Sequence, residues 1–127
     1  MKKQIIQVKE FYTAFRLPQR NVPTLVPIAE FKRRQNILQE EVDELKKALI
    51  DGNIFEIGDA LTDTLYVLIG TYIQYGFADY LEQMFDEVHR SNMTKLHPDG
   101  TPILRDDGKI LKGANYESPN LNRILNP

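Results

Sequence analysis

The chain has no cysteine and only two histidines, His89 and His97. Without cysteine there can be no disulfide, thiolate metal site, iron–sulfur cluster or cysteine nucleophile. Two histidines cannot build an all-imidazole zinc site within one chain. A long hydrophobic run is also missing. The richest stretch, about Thr64 to Ala78, is interrupted by Gly70, Thr71 and Gln74 and falls short of the roughly 18–20 residues a bilayer span needs. No apolar block follows the basic start Met1-Lys2-Lys3, so no secretory signal is expected. These absences predict a cytoplasmic protein that does not engage a membrane. A basic excess is lacking too: 16 Lys and Arg stand against 18 Asp and Glu, a net charge of −2. A protein that gains affinity by neutralising nucleic-acid phosphates is normally basic, so nucleic acid is not an expected partner. What remains is ordinary for a globular chain. The 127 residues, 42% hydrophobic and 27% charged, make one domain's worth and argue against disorder.

Hydrophobic periodicity predicts an all-α protein. Ile5, Val8, Phe11, Tyr12 and Phe15 recur at spacings of three and four within residues 3–16, one face of an amphipathic helix. Pro18, Pro23 and Pro27 make 17–27 an irregular connector. A second helix is expected from Ile28 to Ile50, stopped by Asp51-Gly52. Asn53 can cap a third, running to about Tyr75-Gly76. A fourth is expected over roughly Ala78 to Ser91. After Asn92 the composition changes, with three of the seven glycines and four of the seven prolines in 92–127. Ile103-Leu104-Arg105 and Lys109-Ile110-Leu111 flank Asp106-Asp107-Gly108, which reads as a short β-hairpin in an otherwise extended tail. The expected organisation is one domain over 1–127, a helical body of 1–92 followed by a hairpin and tail of 93–127. Residues 1–88 carry 10 basic and 14 acidic side chains, and 89–127 carry 6 and 4. An acidic body with a basic tail hints at a metal–phosphate site formed where they meet.

The chemistry is concentrated in acids. Viewed down the axis of the second helix, Ile37 and Ala48 fall just to one side of Glu41, and Leu45 and Leu38 just to the other. Glu41 therefore lies inside the apolar stripe, Glu44 at its edge and Glu40 one step further out. A carboxylate on an apolar face is costly unless something positive meets it. From Ile54 to Ala78 the only charged residues are Glu56, Asp59 and Asp63, on one stripe with no lysine or arginine to pair with. The short turn at Asp51-Gly52 forces the second and third helices into an antiparallel hairpin. At about 1.5 Å rise per residue, Glu44 is then level with Asp59 and Glu41 with Asp63. Five acids, Glu41, Glu44, Glu56, Asp59 and Asp63, become candidate ligands. An all-oxygen donor set suits a hard cation, Mg²⁺ or Mn²⁺. A blander reading makes Glu56 part of a capping box and pairs Glu40 and Glu44 with Lys46 or Lys47 on a solvated face.

The segment Glu40-Glu41-Val42-Asp43-Glu44, eleven residues, then Glu56-Ile57-Gly58-Asp59 resembles the EExxE…ExxD signature of the MazG-like all-α nucleoside triphosphate pyrophosphohydrolases. Asn92-Met93-Thr94-Lys95-Leu96 and the run Asp107 to Tyr116 resemble the subgroup related to phosphoribosyl-ATP pyrophosphohydrolases and dimeric dUTPase-like enzymes. The resemblance implies a four-helix MazG-like bundle. It implies α–β phosphoanhydride cleavage, a nucleoside triphosphate plus water giving monophosphate and pyrophosphate. Carried over by position, Glu41, Glu44, Glu56 and Asp59 would hold Mg²⁺ (or Mn²⁺) and Glu40 would orient or deprotonate the attacking water. The resemblance gives Asp63 no equally secure role; its level with Glu41 makes it an extra ligand, a supporting group or a contact to the sugar.

Phosphate binding also needs cations or amide donors. The candidates are Lys95, Lys109 and Lys112, with Arg90 and Arg105 behind them, and Asn92 and Asn115; Tyr116 could stack on a base. Lys32-Arg33-Arg34 reads as a solvated basic face. The third helix is apolar nearly all round, and such a helix must be covered on every side, so a homodimer or homotetramer is expected. The leading function is a Mg²⁺-dependent nucleotide pyrophosphohydrolase clearing unwanted nucleotides. The alternatives are a phosphoribosyl-ATP pyrophosphohydrolase of histidine synthesis and a non-catalytic metal-binding helical interaction protein.

Overall fold

Capping chemistry sets the ends of each long helix. The computed structural model describes residues 1–126, with α1 Lys2–Ala14, α2 Ile28–Asp51, α3 Ile54–Tyr75, a 3-10 turn Ala78–Tyr80, α4 Leu81–Met93 and α5 Asn122–Leu125. The chain divides into two compact units, one ending at Asp79 and one beginning at Tyr80, so α4 groups with the segment that follows it.

In the first unit α3 packs against both α1 and α2. α2 ends on Gly52 in the left-handed conformation, and the Asn53 side chain accepts from the N–H groups of Phe55 and Glu56. This stop-and-cap pair makes the tight antiparallel turn. α1 closes differently. The Leu17 N–H reaches the Tyr12 carbonyl (2.8 Å) and the Arg16 N–H that of Thr13 (3.2 Å), with Arg16 itself at φ 54°. That is a Schellman closure with arginine where glycine is favoured.

The core of this unit comes from Ile5, Val8 and Tyr12 of α1, Ala48 of α2, and Ala60, Ile69 and Ile73 of α3. Gly70 is the seat for Tyr12: a Cβ there would meet the tyrosine hydroxyl and ring. Arg34 departs from the solvated face expected of its basic run. It turns into the seam, donating to the Val67 carbonyl (2.9 Å) and the Thr71 hydroxyl (3.3 Å), with its guanidinium 5.9 Å from the centre of the Tyr12 ring. The contact also fixes register. With Arg34 opposite Val67 and Thr71, residues 41 and 44 come opposite the stretch around 59–63.

The connector after α1 is tied to the end of α3. The N–H groups of Arg20 and Thr24 donate to the carbonyls of Ile73 (3.2 Å) and Tyr75 (3.0 Å). The Arg20 guanidinium grips Glu30 at 3.0 Å and the Gln74 carbonyl at 2.8 Å, and Gln74 also donates to Glu30. The Arg20 contact first, then Gln74, holds the Glu30 carboxyl below the usual carboxylate range.

In the second unit the β-hairpin expectation is corrected. Leu104 and Ile110 form one isolated antiparallel bridge, and no strand forms among the described residues. The turn itself is made as its sequence demands. Gly108 sits at φ 85°, its N–H reaches the Arg105 carbonyl (2.8 Å), and Asp107 receives the Lys109 N–H (3.1 Å) and the Arg105 guanidinium. Two short segments with exposed Leu104 and Ile110 have no third strand and little apolar face to bury, so pairing stops at one bridge. The tail likewise departs from a wholly extended chain by forming α5. α4 begins at Leu81 rather than Ala78 because the 3-10 turn precedes it.

A buried carboxylate fastens this tail. Glu87 accepts from Arg90 (2.9 Å, two bonds), Arg123 (3.0 Å) and the Asn120 N–H (2.8 Å). Ser91 and Thr94 add bonds to the Glu117 backbone. Arg90 first, then the Asn120 N–H, lower the Glu87 pKa to about 2. A carboxyl with a depressed folded pKa stabilises the fold above its unfolded value of about 4.3 and loses that contribution as pH falls through the folded one. Protection of the Asn120 amide, taken relative to its intrinsic exchange rate at each pH, should therefore stay high at pH 5 and fall as pH drops toward 2, while Glu87→Gln should show low protection already at neutral pH.

Candidate active site

Two alanines make room for the acids. Ala48 and Ala60 are buried across the α2–α3 seam. With Glu44, Lys47, Glu56 and Asp59 they line a cavity of about 300 Å³. Small side chains let the two backbones approach, and the longer acidic side chains one turn away rise at the margin.

Glu41 is half-buried, while Glu40, Glu44, Glu56, Asp59 and Asp63 are exposed. The Glu41 carboxyl is pushed above the usual carboxylate range, first by burial and then by the charges of Asp63, Glu44, Glu40 and Asp59. The hairpin thus brings acids from both helices into one electrostatic field. Hydrogen bonds and ion pairs elsewhere take the nearby partners. Lys47 pairs with Asp51 (3.1 Å) and Gln39 with Asp43 (2.9 Å). The alternative pairing of Glu40 and Glu44 with Lys46 or Lys47 is absent among the described residues. Nor does Glu56 complete a capping box, because the Asn53 N–H goes to the Ala48 carbonyl (3.3 Å) instead.

Among the described residues no three acidic or histidine side chains are gathered tightly enough to ligate one ion as they stand. Glu44, Glu56 and Asp59 line the cavity, and Asp63, Glu44, Glu40 and Asp59 act on Glu41; a common ion would require the carboxylates to change rotamer. The donor chemistry fits such an ion: carboxylate oxygens on two helices, unpaired among the described residues, with no thiolate or imidazole among them.

In the second unit three of the predicted phosphate or base contacts come together. The Lys112 ammonium lies 4.5 Å from the centre of the Tyr116 ring. Tyr116 bonds with Ser118 and Ser91, and these bonds, followed by the charges of Lys112 and Lys95, hold its hydroxyl below the usual tyrosine range. Gly113 makes this approach feasible. Its N–H donates to the Lys95 carbonyl (3.0 Å), and a Cβ would meet the carbonyls of Leu96 and Lys95 at 2.8 and 2.9 Å. Lys109 lies in the Asp107 turn, and Asn92 and Asn115 are exposed. Arg90 is committed to Glu87 and Glu117, and Arg105 to Asp107. These two arginines are structural pairs, contrary to their reserve role in phosphate binding.

Sequence reasoning missed Lys47 as a wall of the acidic cavity. The signal was there: it lies three residues after Glu44, one turn along the same face.

An α2–α3 hairpin lined with acids that are unpaired among the described residues, inside a mostly helical chain, defines a class of helical protein whose site is built to meet positive charge. A family profile described as phosphoribosyl-ATP pyrophosphohydrolase matches residues 8–92. The chain belongs to that family, within the MazG-like superfamily. Membership indicates a pyrophosphohydrolase acting on a nucleotide substrate. A comparison with curated proteins finds no match. Among the described residues no helix is long and apolar enough to cross a membrane.

Proposed function

We propose that this chain is a Mg²⁺-dependent pyrophosphohydrolase that cleaves a nucleoside triphosphate between its α and β phosphates, in the service of nucleotide-pool house-cleaning. The observation that carries the reading is the set of unneutralised acids from both helices around the α2–α3 cavity. Glu41, Glu44, Glu56 and Asp59 hold Mg²⁺ or Mn²⁺, with Asp63 as a further ligand or sugar contact. The bound ion supplies neutralisation of phosphate charge and a more acidic water. Glu40, exposed beside the ligands, orients the attacking water and accepts its proton. The water oxygen bonds to the α phosphorus, the bridging P–O bond breaks, and its electron pair leaves on pyrophosphate. In the second unit, Lys95, Lys109, Lys112, Asn92 and Asn115 offer phosphate-binding groups and Tyr116 a ring that can stack on a base.

The reading includes the four-helix bundle of the superfamily and a cytoplasmic homodimer or homotetramer. Leu49 and Ile50 at the end of α2 and Ile54 and Phe55 at the start of α3 are 58–85% exposed. A patch of this kind, beside the acids, suits burial against another copy. Phosphoribosyl-ATP is the second substrate reading, supported by the description of the matching family.

Incubation with Mg²⁺ and a panel of nucleoside triphosphates, with phosphoribosyl-ATP alongside, separates the readings by pyrophosphate release. Release from deoxynucleoside or ribonucleoside triphosphates is the expected result. Release from phosphoribosyl-ATP alone moves the chain to the second reading. No release from any of them leaves a metal-binding interaction protein and overturns the hydrolase.

A further inference from the structure

We propose that Lys47 binds the departing pyrophosphate, which places the β and γ phosphates of the substrate at the turn end of the α2–α3 seam; this rests on the hydrolase reading above. Among the described residues, Lys47 is the only basic side chain lining the acidic cavity, beside Glu44, Glu56 and Asp59. It lies five residues before Gly52, so it stands on the turn side of Glu41 and Glu44. Arg34, the basic group at the other end of the seam, is turned inward onto Val67 and Thr71.

The resting partner of Lys47 is weakly held. Its 3.1 Å pair with Asp51 is exposed on both sides, 76% and 47%, a geometry in which ion pairs contribute little. The ammonium is kept charged by Asp51 first and then Glu56. It can therefore leave Asp51 at small cost and reach toward a more concentrated negative charge. During cleavage that charge develops on the pyrophosphate as the bridging electron pair departs with it. An ammonium donating to those oxygens stabilises the leaving group and keeps its own proton. Exposure also allows the product to dissociate.

Four measurements on the full chain test this: Mn²⁺ titration followed by electron paramagnetic resonance, pyrophosphate release from triphosphates, and calorimetric affinities for inorganic pyrophosphate with Mg²⁺ and for the nucleoside monophosphate product. Lys47→Ala should weaken pyrophosphate about ten-fold and leave monophosphate affinity unchanged. Mn²⁺ alone should bind as tightly as in wild type or more tightly, since a neighbouring cation is gone. Lys47→Arg should restore most of the pyrophosphate affinity, and Lys46→Ala should match wild type throughout. If wild type binds Mn²⁺ and releases pyrophosphate while Lys47→Ala keeps pyrophosphate affinity within two-fold, the lysine's role is overturned and the hydrolase stands. Equal losses for pyrophosphate and monophosphate also overturn it. A wild-type chain that neither binds Mn²⁺ nor releases pyrophosphate overturns both readings.

Discussion

Glu44→Gln and Asp59→Asn should each lower pyrophosphate release by about 10³-fold or more, about 4 kcal/mol in the barrier, while leaving the helical circular dichroism intact. Both side chains are exposed at the cavity margin and hold no hydrogen bond or ion pair among the described residues, so their loss removes no contact from the fold. Glu41→Gln should separate function from folding most sharply. Burial and four neighbouring acids raise the Glu41 pKa. A carboxyl with a raised folded pKa adds stability below its unfolded value and loses it as pH rises through the folded value. At neutral pH the ionised group therefore works against the fold, and the amide should raise the melting temperature of the metal-free protein. If the chain binds Mg²⁺ as proposed, Mg²⁺ should raise the wild-type melting temperature and the same substitution should erase that increment. If the acids served only structure, all three substitutions would lower stability and none would touch turnover.

The helices were legible because their apolar spacing and caps are local. Asn53 and Gly52 stand next to the ends they close, and Ile5, Val8 and Tyr12 repeat at the helical period. The level pairing of acids across the hairpin followed from the length of one turn. What was not legible depends on groups distant in sequence. Arg34 reads as part of a solvated basic run, and its inward turn is set by the Val67 carbonyl and Thr71, 33 and 37 residues away. Glu87 and Arg90 look like an ordinary surface pair at i,i+3. The burial of Glu87 comes from Arg123, 36 residues on, and from the Asn120 backbone. The β-hairpin expectation fails for a related reason. Asp107 and Gly108 specify a turn, but strands need neighbours to bury a face, and no local pattern reports that none arrive. α5, with only four residues, is too short to show a period.

Gly76→Ala should be among the most destabilising single substitutions in the first unit, by about 3 kcal/mol. Gly76 sits at φ 79°, where any L side chain is strained. It forms a Schellman closure: its own N–H reaches the Ile73 carbonyl (3.2 Å) and the Phe77 N–H that of Tyr72 (2.7 Å). The closure brings Phe77 edge-on to Tyr72, ring centres 6.5 Å apart, the hydrophobic contact such a motif favours. The added methyl would run into the Val22 carbonyl, which is backbone and cannot swing aside as a long side chain would. Moving Val22 would also disturb its neighbours Arg20 and Thr24, whose N–H groups hold the connector to Ile73 and Tyr75. Gly52→Ala supplies the control. Gly52 has a similar φ of 68° and nothing within 4 Å of a built Cβ, so it should lose only the conformational part, about 1 kcal/mol. Urea unfolding of both variants measures the difference, about 2 kcal/mol, as the cost of the clash alone. Equal losses would mean that the connector does not press on the end of α3. Because Gly76 closes the end of α3 away from Glu56 and Asp59, the folded fraction of Gly76→Ala should keep the Mg²⁺ dependence that the proposed function expects of the wild type.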